Sequence, residues 1–283
     1  MPELPEVETV RRGLSKLVTG EKIVALKASY PRMVLTGFDA LKSALLGQTI
    51  RQVSRRGKYL IFEFDELALI SHLRMEGKYR LETADFVVQK HDHIFMTFAD
   101  GKTLIYNDVR KFGTWELIGT EKNLTELSKK LEQYFVKKNL GPEPTFTDFD
   151  LSIFRKKLQK SRKKIKPYLL EQTLVVGLGN IYVDEVLWAA QIHPETMAMA
   201  LTEEQIKLLH DTIIEILQLA VVRGGSSIRT YTNAFGKEGD MQNELKVYGK
   251  EGTACPRCGT IIEKIKVAGR GTHFCPNCQK KIF

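Results

Sequence analysis

The chain has 283 residues, enough for two domains and a small appendage. Lys and Arg number 43 against 34 Asp and Glu, a formal charge of +9 with a pI near 9.2, which favours a polyanionic partner such as nucleic acid. No window is long and apolar enough to span a bilayer, and the acidic start lacks the basic and apolar regions of a secretory signal; the expectation is a cytosolic protein whose cysteines bind metal rather than form disulfides.

Val7, Val10, Leu14, Leu17 and Val18 recur at three- and four-residue steps and mark one buried helical face. Pro5 suits the first helical turn, where its missing N–H costs little, and Gly20 is a stop. Strand-like segments run from Lys22 to about Leu117, the clearest at 59–64, 67–73 and 93–98, with Asp100-Gly101 as a hairpin turn before 103–106. One helix followed by many strands predicts a β-sandwich or barrel with the helix packed on it. The character changes near residue 121. Helices are expected over 124–138, 151–160, 168–173, 181–190 and 202–223, the last opened by a Thr202/Gln205 capping box and ended by Gly224-Gly225. Residues 226–252 are polar and Gly-containing, with few core residues, and are expected to include a mobile loop. The last thirty residues form a separate module.

That module holds every cysteine. Cys255 and Cys258, then Cys275 and Cys278, form two C-x₂-C pairs sixteen residues apart. This is zinc spacing, and a complete thiolate set makes the metal structural, with no position left for catalysis. A redox pair would leave the second C-x₂-C unexplained. Between the pairs, strands at 264–268 and 272–274 are joined at Gly269-Arg270-Gly271, so Arg270 projects either toward a phosphate or simply into solvent. Gly177-Leu178-Gly179-Asn180 is not a dinucleotide loop, because position 182 is Tyr and no βαβ unit surrounds it; a Gly turn opening a helix still presents N–H groups to a phosphate.

Pro2 follows an initiator methionine that is routinely removed before small residues. Removal exposes a secondary amine, which can attack a sugar aldehyde carbon; Pro2 is otherwise an ordinary helix starter. The helix dipole lowers that amine's pKa, whereas Glu3 and Glu6 raise it.

The residues become specific when taken together. Met1-Pro2-Glu3-Leu4-Pro5-Glu6-Val7-Glu8-Thr9-Val10, Arg55-Arg56-Gly57-Lys58-Tyr59, His72-Leu73-Arg74-Met75-Glu76-Gly77, Lys90-His91-Asp92-His93, Asp108-Val109-Arg110-Lys111-Phe112-Gly113, Ile165-Lys166-Pro167, Gly177 to Tyr182 and the cysteine module with Arg270 follow in one order. In this the chain resembles the bacterial formamidopyrimidine-DNA glycosylases over almost its whole length. The resemblance implies an α+β multidomain fold: a helix-plus-β-sandwich domain, a helix-two-turn-helix domain and a zinc-finger hairpin, with DNA in the cleft of a two-domain clamp. The corresponding spans are 2–120 (catalytic), 121–225 (helical, DNA-binding), 226–248 (lesion-capping loop and connector) and 249–283 (zinc finger).

It further implies a bifunctional DNA glycosylase and abasic-site lyase of base excision repair. Such an enzyme removes oxidised purines (8-oxoguanine and formamidopyrimidines) from double-stranded DNA, with one structural Zn²⁺ and neither a catalytic metal nor a nucleotide cofactor; a clamp of this size can work as a monomer. Pro2 is the nucleophile, Glu3 the acid/base partner, Lys58 a catalytic DNA contact, and Arg270 the phosphate grip linked to the second elimination. Met75, Arg110 and Phe112 match the wedge that fills the gap left by the flipped nucleotide; from their types alone, Met75 and Phe112 could instead be core. His91, Arg110, Arg162, Lys166 and Asn180 are DNA-contact candidates, with His91 and His93 otherwise surface histidines. Residues 226–239 correspond to the loop over the flipped base. The rival readings are an endonuclease VIII-like oxidised-pyrimidine glycosylase, disfavoured by Leu4 and the wedge set, and a non-catalytic zinc-ribbon DNA-binding protein, which leaves Pro2, Glu3 and Lys58 without a purpose.

Overall fold

The computed structural model describes residues 1–83, 85–119, 124–226 and 239–281. It divides into two compact units, one of residues 1–138 with 224–239, the other of 139–223 with 240–283. Among the described residues, no helix is long and apolar enough to cross a membrane.

The first unit opens with α1 (Leu4–Val18), Pro5 in its first turn. Val7, Val10, Leu14 and Val18 are buried, as their spacing predicts, and Leu17 packs at the margin. Eight strands follow: β1 (Ile23–Ala28), β2 (Gln52–Arg56), β3 (Tyr59–Glu63), β4 (Leu67–His72), β5 (Lys78–Glu82), β6 (Asp92–Phe98), β7 (Thr103–Asn107) and β8 (Thr114–Gly119). They pair into two four-stranded antiparallel sheets, ordered β1-β6-β7-β5 and β2-β3-β4-β8. Inward residues of both, among them Leu60, Phe62, Ile94, Met96, Leu104 and Trp115, join the α1 face in one core. This is the expected sandwich with its helix.

One element goes beyond the expectation of strands throughout 22–117: α2 (Phe38–Leu45) buries Leu41 and Leu45 on the same core. Eight residues carry too few turns for a periodic signal, so tertiary burial decides the conformation. Helix α3 (Leu124–Lys137) packs against β8, and the Tyr134 hydroxyl donates to Glu116 at 2.7 Å.

The second unit holds α4 (Leu151–Gln159), α5 (Ile165–Leu170), α6 (Asn180–Ala189) and α7 (Glu203–Val222). The Thr202/Gln205 capping box forms. Helix α5 lies earlier than the predicted 168–173. Pro167 sits inside its first turn, where the N–H it lacks would have had no helical partner. Residues 239–252 contribute more core than their polar composition suggests, since Met241, Leu245 and Val247 are buried. The loop expected over the flipped base, 226–239, lies almost wholly outside the described residues.

The hairpin β9 (Glu263–Val267) and β10 (Arg270–Phe274) pairs Arg270 with Val267. Its turn is therefore Ala268-Gly269, not Gly269–Gly271, and both residues have positive φ (47° and 79°), as a mirror-image two-residue turn requires. Arg270 opens β10 and is exposed there.

Candidate nucleic-acid interface and zinc centre

At the head of α1, Pro2 is buried, as are Glu3 (1% exposed) and Glu6 (3%). The Glu3 backbone N–H donates to Glu6 Oε2 at 2.8 Å, so Glu6 satisfies a donor that the helix start leaves open. Its other oxygen accepts the Ser226 N–H at 2.7 Å. Gly225 comes so close that an added Cβ would lie 2.7 Å from Glu6 Oε1, at a φ of +78°. Glu6 thus ties the helix start to the 224–226 segment. Its position three residues after a helix-capping site was the available signal.

Lys58 lies in the two-residue turn between β2 and β3, after Gly57 with positive φ, and is 6% exposed. A relay of bonds joins this turn to α1. Glu8 accepts from Arg11, Arg12 and, at 3.3 Å, Arg55 Nε, while Arg55 Nη1 donates to the Gly57 carbonyl at 2.8 Å. Burial pushes the Glu8 carboxyl up, but these arginines outweigh it and hold the group below its ordinary range. Glu8 and Arg55 were not anticipated, because only pairing in space reveals that they share a bond. Nearby, His72 is pulled down to about 3, first by burial and then by the charges of Arg74 and Lys58, so it is a neutral ring at neutral pH.

Met75 is half-buried in the turn after β4, whereas Arg110 and Phe112 (53% exposed) stand out from the loop before β8. The Arg110 guanidinium lies over the Phe112 ring at 4.9 Å. A core position for Phe112 is excluded by that exposure. His91 is partly exposed and its carbonyl accepts the Asp108 N–H; His93 is buried rather than on the surface, its Nε2 2.9 Å from the Asp108 carbonyl.

In the second unit Arg162 is exposed in the link between α4 and α5. Lys166, expected to meet DNA directly, is instead fully buried. Its Nζ donates to Asp184 Oδ1 at 2.6 Å, Thr272 Oγ1 at 2.8 Å and the Gly271 carbonyl at 3.3 Å. All three donors are occupied within the protein, because the inward face of α5 sets Lys166 opposite the buried Asp184 of α6. Asp184 Oδ2 also accepts the His273 N–H at 2.9 Å. Asn180, the first residue of α6, donates from Nδ2 to the same Gly271 carbonyl at 2.9 Å. Lys166, Asn180 and Asp184 thus converge on the strand that begins with Arg270.

The four Sγ atoms of Cys255, Cys258, Cys275 and Cys278 lie within 4.8 Å of one another, with contacts of 3.9, 3.5 and 3.4 Å. A Zn–S bond of about 2.3 Å gives a tetrahedral S–S edge of about 3.8 Å, so the set fits Zn²⁺. These cysteines form a structural zinc site. Trp188 Nε1 donates to Cys255 Sγ at 3.4 Å. Arg257 stacks on the Trp188 ring at 4.3 Å and donates to the Trp188 and Ala189 carbonyls, capping the end of α6. On the other side, Glu185 accepts the N–H groups of Lys246, Val247 and Tyr248.

Three family models match the chain: the formamidopyrimidine-DNA glycosylase N-terminal domain over residues 1–115, the formamidopyrimidine-DNA glycosylase H2TH domain over 140–232, and a zinc finger found in FPG and IleRS over 252–281. The formamidopyrimidine-DNA glycosylase of Lactococcus lactis subsp. cremoris is 66% identical across 99% of this chain and 100% of its own. That of Streptococcus thermophilus is 56% identical, with the same coverage. Among solved structures, Lactococcus lactis Fpg in complex with DNA containing an abasic site matches with a TM-score of 0.93 at 65% identity, covering 99% of this chain and 100% of that one. A mutant of the same protein with DNA containing Fapy-dG matches equally, with a TM-score of 0.93 at 65% identity over the same shares of both chains.

Proposed function

This chain belongs to the formamidopyrimidine-DNA glycosylase family, and on that premise we propose that it removes oxidised purines from double-stranded DNA and then cuts the strand at the abasic site. The observation that carries the reading is the buried head of α1, where Pro2 and Glu3 sit beside a carboxylate already committed to the backbone. Once Met1 is removed, the Pro2 nitrogen attacks C1′ of the damaged nucleotide. The N-glycosidic bond breaks and the base leaves with a proton; Glu3 assists this loss and protonates O4′ as the C1′–O4′ bond opens, which leaves C1′ joined to the Pro2 nitrogen as a Schiff base. The Schiff base acidifies C2′–H. Loss of that proton expels the 3′ phosphate, and a second elimination expels the 5′ phosphate.

Lys58, held by the Arg55–Gly57 relay, is proposed to meet DNA beside the reacting sugar. Arg270 grips phosphate from the head of β10, with Arg162, Asn180 and His91 as further backbone contacts and Lys166 as the internal support of the Arg270 strand. Met75, Arg110 and Phe112 replace the stacking lost when the nucleotide leaves the helix, and Arg110 also hydrogen-bonds the opposite base. Zinc holds the hairpin together, and in a reducing cytosol its cysteines stay available as thiolates.

Incubation with 8-oxoguanine opposite cytosine, followed by borohydride, tests the reading. Nicked product and a trapped covalent complex are expected, and Pro2→Gly should bind DNA but release no base. Trapping on oxidised thymine alone would establish the pyrimidine-specific reading, and binding with neither product would establish a non-catalytic one.

A further inference from the structure

The turns that carry Met75 and the Arg110–Phe112 pair belong to different β-connections, yet they meet at one buried side chain. Tyr106 is fully buried on β7, its ring against Tyr79 at 5.1 Å and Trp115 at 5.9 Å. A Cβ added at Gly77 would lie 2.1 Å from its hydroxyl oxygen, and one added at Gly113 only 1.7 Å away. The phenol therefore occupies the space that a side chain at either glycine would need. Gly77 closes the Met75 turn, donating its N–H to the Leu73 carbonyl at 3.0 Å. Gly113 closes the Arg110–Phe112 loop.

Asp108 holds the second loop from within. Fully buried, it accepts the Arg110 N–H at Oδ1 (3.0 Å) and the Gly113 N–H at Oδ2 (2.7 Å). Both turns also contain a non-glycine residue in the left-handed region, Arg74 (φ 53°) and Lys111 (φ 57°). Such residues persist where the surroundings over-determine them.

We propose that Tyr106 and Asp108 are positioning residues that lock the Met75 turn and the Arg110–Phe112 loop in one register, so that the three side chains enter the base stack as a single rigid wedge. The inference rests on the wedge reading above and adds the device that makes its two halves act together. A rigid aromatic ring wedged between two backbones passes a displacement of one turn to the other, because close packing leaves no slack to absorb it.

The test compares Tyr106→Phe, Asp108→Asn and Phe112→Ala in single-turnover excision of 8-oxoguanine placed opposite cytosine or opposite an abasic position. With no partner base, extrusion costs less and the wedge has less to offset. Opposite cytosine, Tyr106→Phe and Asp108→Asn should lose about tenfold in excision rate with little change in half-saturation, the scale expected of a sub-ångström misplacement. Opposite the abasic position, most of that loss should vanish. A loss independent of the opposing position, or no loss in either variant, overturns the positioning role. If Phe112→Ala depends on the opposing position while Tyr106→Phe and Asp108→Asn do not, the wedge reading stands and the coupling fails. If Phe112→Ala is itself indifferent, the wedge reading falls and takes the coupling with it.

Discussion

Replacing Lys166 by Met should destabilise the second unit without touching any exposed residue. Both partners of the Lys166–Asp184 pair have 0% exposed side chains, so solvent cannot compensate for the loss. The variant strands the Asp184 carboxylate with the His273 N–H at 2.9 Å as its remaining short hydrogen bond, and it removes the donors to Thr272 and Gly271. Breaking a buried pair from one side costs about 3–5 kcal/mol. At about 3 °C per kcal/mol for a domain of this size, the unfolding midpoint should fall by roughly 10–15 °C. Far-UV circular dichroism reports it, since α4 to α7 all lie in this unit. The double variant Lys166→Met, Asp184→Leu removes both charges. It should regain much of the loss, short of about 1–3 kcal/mol for the His273 N–H left without its acceptor. A midpoint shift under about 2 °C in the single variant, or a double variant no more stable than Lys166→Met, would refute the reasoning, because the pair would then be dispensable.

Zinc removal should act through the same hairpin. Chelation, or Cys258→Ser, should release one metal ion per chain and weaken DNA binding severely, because Arg270 rests on a hairpin whose far end is held by thiolates; titration of released zinc against a chromophoric chelator, alongside a mobility-shift assay, measures both. Acid should also destabilise the first unit. His72 is pulled down to about 3 in the folded chain and titrates near 6.5 when unfolded, so its contribution is complete above about 6.5 and is lost as pH falls toward 3, at up to about 1.4 kcal/mol per pH unit. Denaturant unfolding at pH 7 and pH 5 should show that slope in the parent chain and a flatter one in His72→Gln; equal slopes would count against the buried neutral ring.

Local signals carried much of this protein in its sequence. The apolar steps of α1, the Asp100-Gly101 turn, the Thr202/Gln205 capping box and the two C-x₂-C pairs each complete their physics within a few residues, so spacing alone revealed them. The family motif, not residue type, marked Phe112 as part of a wedge rather than core, and it is exposed. What only tertiary structure decided depends on partners distant in sequence. Lys166 reads as a surface cation until Asp184 and Thr272, 18 and 106 residues away, close around its ammonium. Glu6 reads as a carboxylate near the Pro2 amine until Ser226, 220 residues on, donates to it. Asp108 and Tyr106 are unremarkable in the chain, because their role lies in the space between two turns. A helix start or a metal knuckle is specified by neighbours along the chain, whereas a buried charge or a shared void is specified by whatever folding brings against it, and spacing does not encode that.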